Sequence, residues 1–401
     1  MPACAQTIVG PSLAASAGDL EIKGHYRIGY AHVGSPNQLT VAPGQTPADI
    51  FDHSTMQDAH LRVGVQPGDA LPVGLAVEGA HYRETVSNLD QQEHDSHVRG
   101  EVSVPLADHL AAIGGVGYEW SQVTSRDALR DSAGNPVISP SGRLVTDPAS
   151  PRIIAFDSEA LIWDVGVVWR PSPRTNLEAH VGRRYGTIGG DGRFSYRPDE
   201  RSTFDVQVYN NLTSFGGMLT NALDDTPTQF TAIRDPLTGN IGACVSGNGS
   251  GGGASCLASS LATVRSTVFR GRGASARYSW HWNRYTASVS VGYDHRGYIA
   301  APGTVLASLD GKSEEYYWTA ANLAAQLDRK SSISAEFDSY ITRGDVAATS
   351  NFTGARAAAA YQYQFSSHLG ASAGLEIDTL NRKAIDDVWH MSGQVAMRYS
   401  F

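Results

Sequence analysis

The feature that most constrains this chain is a period-two alternation of apolar and polar residues, repeated in run after run. In "WHMSGQVAMRYSF", Trp389, Met391, Val395, Met397, Tyr399 and Phe401 share one parity, and His390, Ser392, Gln394, Arg398 and Ser400 the other. Successive strand residues point to opposite faces, so such a run folds as a strand with one apolar and one polar side. Sixteen runs follow this rule: 22–33, 55–66, 71–83, 95–106, 109–121, 158–170, 175–186, 191–197, 202–210, 265–281, 283–295, 313–328, 331–342, 352–366, 368–379 and 388–401. In the tenth, Arg270 and Arg272 break the pattern by sharing parity with Ala274, Tyr278 and Trp280. No segment has the spacing of an amphipathic helix, which excludes a βαβ organisation.

The connections alternate between short and long. "AD" after Leu106, "PSPR" after Arg170 and "WN" after His281 are tight, whereas 34–54, 84–94, 122–157, 211–264 and 296–312 are long. A soluble sandwich has no reason to send its long loops to one end. An antiparallel barrel in a bacterial outer membrane does, with short periplasmic turns and long extracellular loops. The all-β fold expected is therefore a single transmembrane antiparallel β-barrel of about sixteen strands, over 22–401, closed by pairing of the last strand with the first. Aromatics such as Trp120, Trp163, Trp169, Trp280, Tyr363 and Tyr399 sit where interfacial girdles belong.

The polar parity carries charges that a dry core would not tolerate. Arg27, Arg62, Glu78, Arg99, Glu101, Glu119, Asp164, Glu178, Arg184, Arg277, Arg284, Glu336, Asp338, Arg356, Glu376 and Arg398 are read as lining a water-filled lumen. The alternative is a soluble sandwich with these residues on its outer face. Loop 122–157 is a candidate constriction loop, with Arg126, Asp127, Arg130, Asp131 and Arg143 supplying opposed charges; a surface loop that shields the barrel is the other reading.

Composition closes other routes. Mean hydropathy is −0.25, and the charge-free stretch 241–264 is interrupted by "SGNGSGGGAS", so it reads as a loop rather than a membrane helix. A net charge of −9 and the absence of a basic patch argue against nucleic acid. Cys244 and Cys256 lie close together in the Gly/Ser-rich part of loop 211–264 and suggest a disulfide in an oxidising compartment. Residues 1–21 read as a periplasmic N-terminal segment, a signal stump or a disordered end. No metal or other cofactor is implied. Tyr399 and Phe401 are the expected recognition signal for outer-membrane assembly machinery.

The stretch "WRPSPRTNLEAHVGRRYG", Trp169–Gly186, followed by "FSYRPDERSTFDVQVYNNLTSFG", resembles the β-barrel porin 2 family of proteobacteria and related barrels encoded with exopolysaccharide and protein-sorting systems. The shared positions are Trp169, Pro171, Arg174, Thr175, Gly182 to Gly186, Arg201 and Ser202. The resemblance implies an outer-membrane barrel of a Gram-negative bacterium without naming a substrate. Three functions then compete. A passive channel for small polar solutes or ions is the leading expectation. A partner in exopolysaccharide export and a closed structural or adhesin barrel are the alternatives. The partners expected are outer-membrane lipid and lipopolysaccharide, the assembly machinery, and small polar solutes or polysaccharide, with a homotrimer as the oligomer common at this strand number. An enzyme is not expected, because no Ser/His pair carries a motif.

Overall fold

The structure is a computed structural model and describes residues 4–33, 53–140, 143–214, 217, 230–234, 241–247, 254–256, 267–345, 351–382 and 385–399. Its strands are β1 (Cys4–Val9), β2 (Ser12–Ala17), β3 (Leu20–Val33), β4 (His53–Val65), β5 (Gly74–Val86), β6 (Gln91–Ala107), β7 (Leu110–Ser125), β8 (Ile153–Ser172), β9 (Thr175–Arg184), β10 (Thr187–Asp199) and β11 (Ser202–Thr213). They continue as β12 (Phe230–Arg234), β13 (Ile241–Gly247), β14 (Ala254–Cys256), β15 (Phe269–Trp282), β16 (Tyr285–Tyr298), β17 (Ser313–Gln326), β18 (Ser331–Gly344), β19 (Phe352–Gln364), β20 (Leu369–Arg382) and β21 (Ile385–Tyr399). Strands β3 to β11 and β15 to β21 match the sixteen alternating runs of the sequence, with ends moved by a few residues.

These strands pair antiparallel with their sequence neighbours, and β11 pairs with β15 across the longest connection. The same order continues from β15 to β21. Register partners share a face, so alternation in each strand sums to one apolar outer surface and one polar inner surface. The outer surface holds Val116, Leu161, Val165, Val289 and Val395, the last 80% exposed. A continuous apolar exterior of this extent is stable only against hydrocarbon. Trp280 stacks on Trp282 and Trp282 on Tyr285 beside the β15–β16 turn, which gives one interface its aromatic girdle. The molecule is an outer-membrane transmembrane β-barrel.

Turns at the short end are tight: Asn283 adopts φ 51° between β15 and β16. At the other end β9 and β10 are joined by Tyr185 and Gly186, with φ 51° and 73°. Left-handed conformations at both positions match the twist of a two-residue hairpin. Connection 84–94 proves much shorter than the alternation suggested, because β5 and β6 extend to Val86 and Gln91. Loop 122–157 likewise shrinks to 126–152 as β7 and β8 lengthen.

The N-terminus departs from expectation. The part of 1–21 within the described residues is neither a stump nor disordered: β1 pairs with the upper half of β3 and β2 with its lower half. The two pieces lie end to end, broken at Gly10 and Pro11, where a Cβ on residue 10 would sit 1.8 Å from the Tyr26 carbonyl oxygen. Arg27 fixes this break by donating to the Gly10 and Pro11 carbonyls and the Ser12 hydroxyl at 3.1, 3.0 and 2.9 Å. Thr7, Val9, Leu13 and Ala15 share the lipid side with Tyr30, Ile28 and Ile22 of β3, and Ser12 and Ser16 share the lumen side. Small residues and the Gly-Pro break made this alternation faint.

The consequence reaches the seam. The main sheet has 18 strands, of which β1 and β2 share one position. An antiparallel sheet with an odd number of positions has first and last strands that run parallel. The edge of β3 expected to receive the last strand is already occupied. Among the described residues no ladder joins β21 to β1 or β2.

At the long-loop end, connections meet over the lumen. Leu89, Ala128, Leu144, Ala300 and Leu306 form one buried apolar cluster from the β5–β6, β7–β8 and β16–β17 connections. Ser214 and Gly217, following β11, are also buried; a Cβ on Gly217 would fall 2.7 Å from the Tyr82 hydroxyl of β5. A separate small sheet of β12, β13 and β14 lies in 211–264.

Candidate functional site: two charged walls and an inward hairpin

The first wall arises from register. Arg62 of β4 lies opposite Glu78 of β5, and Glu78 opposite Arg99 of β6, so opposite charges face each other across three adjacent strands. Arg99 then reaches past β7 to β8. Its Nε and Nη2 donate to both oxygens of Asp164 at 2.6 and 2.7 Å, and its Nη1 donates to Glu101 at 2.6 Å and Glu78 at 3.3 Å. Glycine on β7 makes this span possible: a Cβ at Gly115 would be 2.2 Å from Arg99 Nε. Arg62 donates to Glu101 at 2.6 Å. His180 of β9 approaches Asp164 at 3.0 Å and Glu178 at 3.5 Å. Bidentate guanidinium–carboxylate geometry with shared carboxylates is the arrangement in which partly buried charges offset their desolvation. These residues line a lumen cavity of about 700 Å³, together with His97, Asp191 and Tyr209.

Above this layer the β9–β10 hairpin leans into the lumen. The Tyr185 amide donates to Glu119 of β7 at 2.7 Å, and its hydroxyl donates to Asp95 of β6 at 2.7 Å. Arg184 donates to Asp95 at 2.8 Å and stands over the Tyr185 ring at 4.8 Å. Glu119 is wholly buried and also accepts from Ser158 of β8 at 3.0 Å. The turn therefore passes inside β8 to bond the inner faces of β6 and β7. Tyr185 packs with Val123, Leu212 and Val268 in a second apolar cluster.

The second wall has different proportions. Arg356 of β19 lies opposite Asp338 of β18 and Asp378 of β20. It donates to Glu376 at 2.9 and 3.1 Å and lies 3.7 Å from Glu336 and 3.8 Å from Asp378. One guanidinium thus faces four carboxylates. Ala358 and Ala360, on the same face of β19 as Arg356, keep this wall low.

Of the residues expected in the lumen, Arg62, Glu78, Arg99, Glu101, Asp164 and Glu178 join the first wall, Glu119 and Arg184 the hairpin layer above it, and Glu336, Asp338, Arg356 and Glu376 the second wall. Arg277 donates to Ser290 at 3.2 Å, away from both. Arg284 belongs to the β15–β16 turn and donates to the Leu327 carbonyl at 3.0 Å, so it serves the short-turn end and not the pore. Arg27 holds the N-terminal strand, as described above. The Arg398 side chain lies outside the described residues.

The charges of loop 126–152 are spent within and between loops. Arg126 donates to Asp90 at 3.1 Å and to the Pro148 and Ser150 carbonyls, and Arg152 also bonds Asp90. Asp127 accepts from the Val305 amide at 2.8 Å and from Arg130 at 3.0 Å. Asp131 caps its own turn, accepting from the amides of Ala133 and Asn135, each at 2.9 Å. Those amides hold its carboxyl below the usual range, the Asn135 amide most strongly. The Arg143 amide donates to Ser139. The opposed-charge constriction expected of this loop is therefore not formed; the loop is a cover packed on the β16–β17 connection, and the inward element is the β9–β10 hairpin. Cys244 and Cys256 are backbone partners across β13 and β14, and their side chains lie outside the described residues. Tyr399 is exposed on the outer face at the end of β21; Phe401 lies outside the described residues.

Asp95, His97, His180 and Tyr185 were missed as site residues. Asp95 and His97 share parity with Arg99 and Glu101, which was the available signal. Nothing local in the sequence shows that Tyr185 turns inward.

No protein-family model matches the sequence, and no curated protein sequence matches it. Solved structures are similar at low identity. The siderophore receptor PirA from Pseudomonas aeruginosa aligns at 12% identity and a TM-score of 0.41, over 99% of this chain and 65% of that one. The copper transporter OprC aligns at 9% and 0.39, over 98% and 62%. OmpT of Vibrio cholerae aligns at 8% and 0.29, over 86% and 97%. The chain thus spans about two thirds of the length of the first two.

Proposed function

We propose that this barrel is a passive outer-membrane channel for small polar or charged solutes. The observation that carries the reading is the first wall. Its paired charges line a cavity of about 700 Å³ inside the barrel, where a structural barrel would be served as well by small apolar packing. Fixed opposite charges on facing strands create a local field that orders polar solutes and disfavours apolar ones. The excess of carboxylates on the second wall gives the pore a preference for cations.

The test is single-channel recording of refolded protein in planar bilayers, with the full chain and with residues 131–147 replaced by a short Gly/Ser link. Steady current that rises on shortening the loop is the expected result. Absence of current in both forms would sink the channel reading. It would favour a closed structural barrel, for which the apolar cluster of Leu89, Leu144 and Leu306 over the mouth already speaks.

A further inference from the structure

The ends of the main sheet present two strand edges without a ladder. Among the described residues β21 pairs with β20 alone, and β1 and β2 pair with β3 alone. Exposure is an independent sign of the same thing. In β20, which is paired on both sides, exposure follows facing: Leu375 and Ile377 are exposed, Gly374 is buried and Glu376 half-buried. On β2 all six residues are exposed, including Ala14 and Ser16 on the lumen side. Lumen-side alanines of strands paired on both sides, Ala320 and Ala358, are instead buried. β21 behaves as β2 does: His390 and Gln394 are exposed on its lumen side, and Trp389 and Val395 on its lipid side. A bare edge leaves a row of backbone N–H and C=O groups unsatisfied, which hydrocarbon does not tolerate.

The direction of the edges decides what can fill them. β20 passes into β21 at the long-loop end, so β21 runs toward the short-turn end. β1 begins opposite Val33, at the same long-loop end, and β2 turns into β3 through Gly18 at the short-turn end. Both free edges therefore run from the outside to the periplasm. A strand that pairs antiparallel with both runs the opposite way, and it makes the number of positions in the wall even. A second copy does not supply it. In one membrane the free edges of every copy run in the same direction, so edge would meet edge in parallel. The flanking residues set the pattern of the added strand. Val9 and Leu13 on one side and Trp389, Met391 and Val395 on the other call for apolar side chains toward lipid. Ser12, Ser16 and Gln394 call for polar ones toward the lumen.

We infer that the gap between β21 and the β1–β2 pair is a docking site for one extended, amphipathic segment of a partner protein. The segment enters from the periplasmic side and adds a strand antiparallel to both edges. Main-chain hydrogen bonds hold it, and the alternation of its side chains selects it. This inference requires the strand order of the barrel but not an open pore.

Amide hydrogen exchange of the full chain in detergent micelles, read by NMR, tests it. The probe is a synthetic peptide with the sequence of residues 369–380, which alternates and pairs antiparallel with β21 on its other edge. The controls are a scrambled peptide without alternation and the same sequence with methylated backbone amides. Without peptide, alternate amides of β2 and β21 should exchange at least about a hundredfold faster than those of β20. The alternating peptide should slow them at least about tenfold, and neither control should. Protection of both edges in the free chain would mean that the seam closes on itself, and would overturn the inference. So would protection that grows with protein concentration alone, the mark of a second copy. Protection by either control, or open edges that the alternating peptide leaves unprotected, would overturn it as well. Heat-modifiable migration on a gel shows that the protein measured is folded.

Discussion

The first wall and the second wall are built from the same residue types at the same strand parity, yet they solve burial differently. Around Arg99 the carboxylates of Glu78 and Glu101 also face Arg62, and Asp164 also faces His180. Around Arg356 the four carboxylates meet one guanidinium, with a histidine, His390, only at the edge, 3.8 Å from Asp378. The first arrangement is redundant and nearly balanced; the second hangs on one residue and keeps a surplus of negative charge. Redundant pairing holds the charges that line the cavity in fixed positions, and surplus charge suits attraction of a counter-ion.

Removing the two arginines is the most direct way to break this contrast. Arg356→Met should destabilise the barrel toward the upper end of about 3–5 kcal/mol, and Arg99→Met toward the lower end, because Arg62 remains. Urea unfolding in lipid vesicles, followed by heat-modifiable migration, gives both values; equal losses would remove the distinction. A smaller effect is expected of Gly115→Ala. The added Cβ competes with Arg99 for its position 2.2 Å away, at a cost of about 1–3 kcal/mol, and the change should be much milder in an Arg99→Met background.

Ion selectivity sharpens the comparison at the level of function. Glu336→Gln/Asp338→Asn should lower cation-over-anion permeability by about a factor of two to five, whereas Glu78→Gln/Asp164→Asn should change it less, since the latter pair is already neutralised. Reversal potentials in asymmetric salt measure this, and the opposite ranking would refute the assignment of the second wall as the selective one. The smallest effect concerns the cover. The Asp131 carboxyl is held below its usual range by the turn amides. The turn's stabilisation is therefore present above the ordinary carboxylate range of about 3.9 and is lost only as pH falls through the lower folded value. Protease nicking of loop 126–152 should stay unchanged down to that range in the native chain, and should rise slightly at neutral pH in Asp131→Ala.

Particular residues show how far a sequence reading reaches. The parity of Arg62, Glu78 and Arg99 placed them on the lumen side, because strand alternation is local and strict. That same parity misplaced Arg284, since a residue one step before a strand obeys the turn. It also ranked loop 122–157 as the constriction, although Arg126 and Asp127 find partners on Asp90 and Val305, far away in sequence. Residues 4–17 escape a reading by alternation because Ala, Ser and Gly-Pro carry little hydropathic contrast, yet their backbone pairs with β3 along nearly its whole length.

By itself the sequence determined the fold class, the sixteen main strands, the end to which the long loops go and the face that charges within strands, such as Arg62, Glu78 and Arg99, occupy. These follow from a two-residue period that needs no knowledge of neighbours. Only the tertiary structure decided which charges meet, that β1 and β2 take the edge of β3, and that Tyr185 folds inward. Those depend on register and on glycine windows such as Gly10 and Gly115, where contact across strands, not pattern along one, sets the outcome.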